Sequence, residues 1–257
     1  MNIPADIEKI FHDTDSGSVL LVNKLLFAFE KLLQDPSLDD QLFRHHVLTV
    51  RKEMRHFAAV ENLCGEMLVR LDEPYAFPSV VSRYLTDYRT YWEHSAERIT
   101  ENLTRRYELA SKTILTHSNS ETILSVFKIL KQQGIPFRVL QTCSSPGNEG
   151  VISKRKIKDL DIKVLLIDDE DAVDVFHETD LVLMGCDTLL KEEFLNKKGT
   201  MHIAKLARKY KKPFVLLTES RKQIVVDNWK EQLNKNPFFE WVPLHLVTGV
   251  ITEKDLP

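Results

Sequence analysis

The chain has 257 residues, enough for one large domain or two of roughly 100–200 residues each, and its 43% hydrophobic and 28% charged residues are those of an ordinary globular protein. Its 35 Lys and Arg against 38 Asp and Glu leave a net charge of -3, which gives no general attraction to nucleic acid, so direct nucleic-acid binding is disfavoured. No apolar run approaches the ~18 residues of a membrane span, the opening Met1-Asn2-Ile3-Pro4 has neither a basic nor an apolar leader region, and Cys64, Cys143 and Cys186 form neither a disulfide framework nor a CxxC zinc pair. A cytoplasmic protein is expected.

The first 107 residues carry a helical period. Leu20, Leu21, Leu25, Ala28, Phe29 and Leu32 fall on one stripe, preceded by cap-forming residues from Asp13 to Ser18 and followed by the turn Gln34-Asp35-Pro36-Ser37. A further break comes at Asp72-Glu73-Pro74, and the pattern from Pro78 to Tyr107 reads as one long amphipathic helix. His45, His46, His56 and His94 have no metal-ligand partners at useful spacing and read as surface or interface histidines. No feature of the chain calls for a metal or a cofactor.

From residue 108 to 257 the pattern changes. Apolar runs at Lys112–Thr116, Phe137–Thr142, Lys163–Ile167, Leu181–Met184 and Phe214–Thr218 alternate with helical stretches. That alternation predicts an α/β domain with a parallel sheet. The helix Glu121–Gln133 ends at Gly134 with Pro136 just beyond, the usual helix stop. The expected organisation is a helical domain over 1–107 and an α/β domain over 108–257.

Three segments carry the candidate chemistry: Thr116-His117-Ser118-Asn119-Ser120, Gly185-Cys186-Asp187 and Asn196-Lys197-Lys198-Gly199-Thr200. Each follows an apolar run, so all three are expected beyond the carboxyl ends of parallel strands, where open sheets place ligands. Asp187 is flanked by Leu183, Met184 and Leu189, whose burial around it would raise its pKa, or else it caps a following helix. Free N–H groups at Gly199-Thr200, opening a helix, would attract an anion.

In order and spacing these segments resemble the family that unites the α, β and δ subunits of eukaryotic translation initiation factor 2B with the isomerases of methylthioribose 1-phosphate and ribose 1,5-bisphosphate. The resemblance runs to Phe238-Phe239-Glu240-Trp241-Val242-Pro243 and Ile251-Thr252-Glu253. It implies a Rossmann-like second domain, Asp187 as the catalytic acid, and Asn196 and Lys197 as ligand contacts. It also implies assembly as a homodimer or hetero-oligomer through that domain. The family's cysteine position holds Ser118, and a hydroxyl needs an adjacent base where a thiol does not. His117, on the opposite side of an extended chain, is not expected to be that base.

The family enzymes also carry Arg-Gly-Ala and Glu-x-Arg-Pro segments. Here these align with Asp15-Ser16-Gly17-Ser18 and with Cys143-Ser144-Ser145-Pro146-Gly147-Asn148-Glu149-Gly150, and both arginines are absent. Gly17, Glu149, Gly199 and Thr200 complete the expected ligand-binding set. The reading is a family relative that keeps a site for a phosphorylated small molecule, a sugar phosphate or nucleotide, without the standard isomerase chemistry. The alternative is an aldose-ketose isomerase of a phosphorylated pentose.

Overall fold

The computed structural model describes residues 3–13, 16–74, 77–225, 229 and 236–254. By contacts the described residues divide into a unit from 1–94 with 221–234 and a unit from 95–220 with 235–257.

The first unit is helical: α1 (Ala5–Phe11), α2 (Ser18–Leu32), α3 (Asp40–Glu53), α4 (Ala58–Leu71) and α5 (Ser79–Glu93). Most of the stripe read from sequence lies in its core, with Leu32 packed at the border and Leu20 outside it. Leu21, Leu25, Ala28 and Phe29 of α2 pack with Phe43, Val47 and Val50 of α3 and Leu63 and Met67 of α4. Asp39 caps α3 by accepting from the Leu42 amide at 2.8 Å. His46 is buried in this unit rather than on its surface, because it falls on the same helix face as Phe43 and Val50; burial holds its imidazole pKa below the usual value.

The second unit opens with α6 (Ser95–Arg106). The expected single helix from Pro78 to Tyr107 is therefore two, broken at His94, whose φ of -103° and ψ of 17° leave the helical region. The periodicity runs on across the break because each half buries its own stripe. Val81, Leu85 and Tyr88 enter the helical core, whereas Ile99 and Leu103 enter the core of the sheet unit. Ser95 is held by its hydroxyl, which donates to Glu219 at 2.7 Å.

After α6 come β1 (Lys112–Thr116), α7 (Glu121–Gln132), β2 (Phe137–Thr142), α8 (Glu149–Asp159), β3 (Lys163–Ile167), α9 (Ala172–Val175) and β4 (Leu181–Met184). β5 (Thr188–Leu189), β6 (Glu193–Lys197), α10 (Thr200–Lys209), β7 (Phe214–Leu217), β8 (Phe239–Pro243) and β9 (Gly249–Ile251) follow. A six-stranded sheet in the order β3-β2-β1-β4-β7-β9 is parallel at every pairing. Its strands alternate between two cores: Ile114, Val139, Leu181, Leu183, Val215 and Leu217 on one face, Leu115, Leu140, Val182, Met184, Phe214 and Leu216 on the other. Burial on both faces is why these segments read as unbroken apolar runs.

A second sheet, β5-β6-β8, is antiparallel. It carries Asn196 and Lys197, which therefore end an antiparallel strand and not a parallel one as the sequence suggested. Phe194 and Val242 attach this sheet to the same core as β4 and β7. Among the described residues no helix is long and apolar enough to cross a membrane.

The first turn of α8 sits directly against β2. A Cβ on Gly150 would lie 1.8 Å from the carbonyl oxygen of Thr142, and backbone at that point cannot move aside without displacing the sheet edge. Gly150→Ala should therefore destabilise the sheet unit by about 1–3 kcal/mol or more, read by urea denaturation. An unchanged midpoint would contradict the packing described.

Candidate functional site

The loops after β1, β2, β4 and β6 meet at the carboxyl edge of the large sheet. His117 ties three of them together and is 1% exposed. Its Nε2 lies 2.9 Å from the carbonyl oxygen of Lys198, which can only accept, so Nε2 carries the proton and Nδ1 accepts from Thr142 Oγ1 at 2.5 Å. Ser144 Oγ is 3.3 Å from the same Nδ1 and accepts from the Ser118 amide at 2.6 Å. Burial is the main cause of a lowered His117 pKa and outweighs the opposing pull of the Lys198 carbonyl, Asp169 and Glu149. Gly199, with φ of 107°, lies against the ring, where a Cβ would come within 2.8 Å of it.

Left-handed backbone collects here. Ser118, Ser144 and Asn148 have φ of 67°, 66° and 55°, beside Gly147 at 106°. Such residues cost about 1–3 kcal/mol each and gather where the surroundings hold a site in a set shape.

Lys197 is the charged centre of the edge. Its side chain is 2% exposed, its Nζ donates to Glu149 Oε1 at 2.6 Å, and the Phe238 ring covers it with its centroid 4.7 Å away. Gly147 leaves room for the pair, because a Cβ there would stand 3.1 Å from Nζ and 3.2 Å from Glu149 Oε1. Next to Lys197, Asn196 Nδ2 donates to Thr200 Oγ1 at 2.9 Å, and that hydroxyl donates to the Lys197 carbonyl at 2.6 Å.

The amides at Gly199-Thr200 are not a free anion site. Glu240, reaching over from β8, accepts from the amides of Gly199 at 2.7 Å and Met201 at 2.9 Å. Its carboxylate takes the place at the α10 N-terminus that an external anion would fill. Asp169 does the same for the loop after β2, accepting from the amides of Ser144 at 2.7 Å and Ser145 at 2.6 Å. Neither Glu240 nor Asp169 stood out in the sequence as a site residue. The signal available was an acidic residue just past β3 and another inside β8, and neither names its partner.

Asp187 is half-buried, and its amide donates to the Leu195 carbonyl at 3.0 Å, which sets it beside Asn196. Leu183, Met184 and Leu189 around it are buried. It caps no helix, because β5 follows directly. Ser118 is half-buried, and its carbonyl accepts from Gln141 Nε2 at 3.1 Å. His117 offers it no base, since both ring nitrogens are engaged elsewhere. Cys143 and Cys186 are not joined by a disulfide. Cys186 is buried and donates to Thr218 Oγ1, while burial, then the neighbouring Asp168 carboxylate, pushes the Cys143 thiol pKa up.

Gly17 lies in the helical unit, where it is the N-cap residue of α2 in extended conformation; Asp15 of the same segment is outside the described residues. Among the described residues no group of three or more His, Cys, Asp or Glu is placed to hold a metal ion. An open groove of about 640 Å³ runs beside the network between Pro146, Asp169, Lys198, Met201 and Glu240, and Gly199 of the expected ligand-binding set lines it.

Comparison with known proteins follows the same lines. Residues 76–234, more than half of the chain, match the model of the Initiation factor 2 subunit family. Ribose 1,5-bisphosphate isomerase of Methanocaldococcus jannaschii is 30% identical over 166 residues, covering 56% of this chain and 54% of that protein. The chain spans between 54% and 59% of the length of this and two further relatives that it matches in sequence. The crystal structure of the translation initiation factor eIF-2B of Pyrococcus horikoshii OT3 superposes with a TM-score of 0.83 at 21% identity, covering 98% of this chain and 96% of that one. The 5-methylthioribose 1-phosphate isomerase of the same organism superposes with a TM-score of 0.76 at 17% identity, covering 96% and 82%. These structures share the fold of a helical part followed by a parallel sheet.

The buried neutral His117 makes stability depend on pH. The unfolded chain takes up a proton near the ordinary imidazole pKa of about 6.5, and the folded one does so only at lower pH. Stability from this residue is thus full above about pH 6.5 and falls as pH drops below it, by up to about 1.4 kcal/mol per pH unit. Urea denaturation of His117→Asn should show a weaker decline between pH 6.5 and 5 than the unaltered chain. Equal declines would contradict the assignment.

Proposed function

Because the chain belongs to the initiation factor 2 subunit family, we propose that it is a ligand-binding member which keeps the site for a sugar phosphate or nucleotide at the carboxyl edge of its sheet and has lost the isomerase chemistry. The observation that carries this reading is the state of the reactive positions. Moving hydrogen between C1 and C2 of a sugar needs an acid and a base in contact with it. Asp187 is present for the first role. Ser118 stands where the family has its cysteine, and His117 faces away from it into Thr142 and Lys198. Cys143, with its raised pKa and a hydrogen bond to Asp168, is no substitute thiolate.

Ligand contacts in this reading come from Asn196, Lys197, Gly199, Thr200 and Glu149 of the sheet unit. Asn196, Lys197, Gly199, Thr200 and Glu149 belong to one connected network. A cytoplasmic location, with three cysteines in the thiol form, and assembly through the sheet unit belong to the same reading. Leu165 on edge strand β3 and Ile152 on α8, 55% and 39% exposed, supply apolar surface for that assembly.

The retained Asp187 beside Asn196 favours the second reading, an active isomerase of a phosphorylated pentose. One experiment separates the two. The full chain is incubated with ribose 1,5-bisphosphate and with methylthioribose 1-phosphate while ketose formation is followed, and binding of both, and of a nucleoside monophosphate, is measured by calorimetry. The expected result is binding of at least one compound with no turnover. Turnover that disappears in Asp187→Asn establishes the isomerase instead, and absence of any binding overturns the site itself.

A further inference from the structure

The buried ammonium of this edge and two pairs of its backbone amides are already matched. Lys197 Nζ is on Glu149, the Gly199 and Met201 amides are on Glu240, and the Ser144 and Ser145 amides are on Asp169. What stands unmatched is of the other kind. Among the described residues of the sheet unit, the buried side-chain polar atoms without a hydrogen-bond partner are Asn119 Oδ1, Thr122 Oγ1, Gln141 Oε1, Glu149 Oε2 and Thr188 Oγ1. Three of the five are pure acceptors and the other two are hydroxyls. The Gln141 assignment is fixed by its own contacts, because Nε2 donates to the carbonyls of Ser118 and Thr142 at 3.1 Å each, which leaves Oε1 as the orphan. Asn119, Gln141, Glu149 and Thr188 all belong to, or adjoin, the segments of the site.

We infer that Glu149 is the specificity-determining residue of this edge: by neutralising Lys197 it removes a cation that could hold an anion and makes the pair part of a subsite that takes the hydroxyl groups of an uncharged sugar moiety. Orphaned buried acceptors are costly, and a ligand that brings neutral O–H donors satisfies them, whereas a phosphate, an anion with mostly acceptor oxygens, meets the like charge of the Glu149 carboxylate. Glu149 Oε2 is one of those acceptors, so the residue that blocks the anion also reads the hydroxyl. A phosphate on the ligand is then held elsewhere or by nothing. This rests on the reading of the edge as a ligand site and adds to it which part of the ligand lies at Lys197.

The test is a gain of function. Glu149→Gln keeps the shape but leaves the Lys197 ammonium buried without a countercharge, so an external anion is the natural replacement. Inorganic phosphate is titrated into the full chain, into Glu149→Gln and into Glu149→Gln with Lys197→Met, with thermal unfolding of each followed in parallel. Phosphate should bind Glu149→Gln at least tenfold more tightly than the unaltered chain and raise its melting temperature, and both gains should vanish in the double variant. If Glu149→Gln folds with no phosphate gain, or if the gain survives in the double variant, the inference is overturned. If Glu149→Gln is too unstable to titrate directly, phosphate must restore its folding, and failure to do so counts equally against it. Binding of ribose 1,5-bisphosphate to the unaltered chain is measured alongside: binding there with no phosphate gain in the variant removes this inference and leaves the site, whereas no binding to any of the proteins removes both.

Discussion

A lysine ammonium that is 2% exposed must be compensated, and Glu149 compensates Lys197. The local architecture is arranged around that contact. Lys197 ends β6, so its position depends on the pairing of β6 with β8, where Lys197 is opposite Phe239. Glu149 opens α8, whose close approach to β2 requires Gly150. Gly147 supplies the space between them and Phe238 the cover. Only the lysine of the pair is fully buried, since the Glu149 side chain is 33% exposed, so losing one partner costs less than the roughly 3–5 kcal/mol of a fully buried pair, yet the contact still ties the loop after β2 to the strand β6.

His117 performs the matching task for neutral groups. It joins the loop after β1 to Thr142 and to the Lys198 carbonyl, one residue beyond the ion pair. With Asp169 and Glu240 filling the two pairs of backbone amides, the donors of the polar network are met by its own side chains. The fold places these residues where parallel sheets bind ligands. The chemistry they can perform is set by what each is already bonded to, and that is why membership of the family does not by itself carry the isomerase activity to this chain.

The parallel sheet was legible because burial on both faces makes β1, β2, β4 and β7 continuous apolar runs. β3 was found by the same signal, although at the sheet edge its Leu165 is exposed. The antiparallel sheet was not legible: β5 has two residues, and β6 meets β8 only after α10 and β7 have intervened. Misreading β6 as parallel left Asn196 and Lys197 on the right edge for the wrong reason. The break at His94 was hidden because the helical period continues through it into a second core. Asp187 and Ser118 could be named from their motifs, whereas Glu240 and Asp169 act through backbone amides far away in sequence, and no local pattern announces such a contact. The same holds for Glu149, singled out by alignment, whose pairing with Lys197 appears only when α8 and β6 are brought together.

The central claim is that Glu149, and no external anion, holds Lys197. A crystal structure of the unaltered chain grown or soaked at high phosphate concentration tests it most directly. The account predicts Lys197 Nζ within hydrogen-bond distance of Glu149 and no phosphate density between them; a phosphate seated on Lys197 with the Glu149 carboxylate swung away would contradict it.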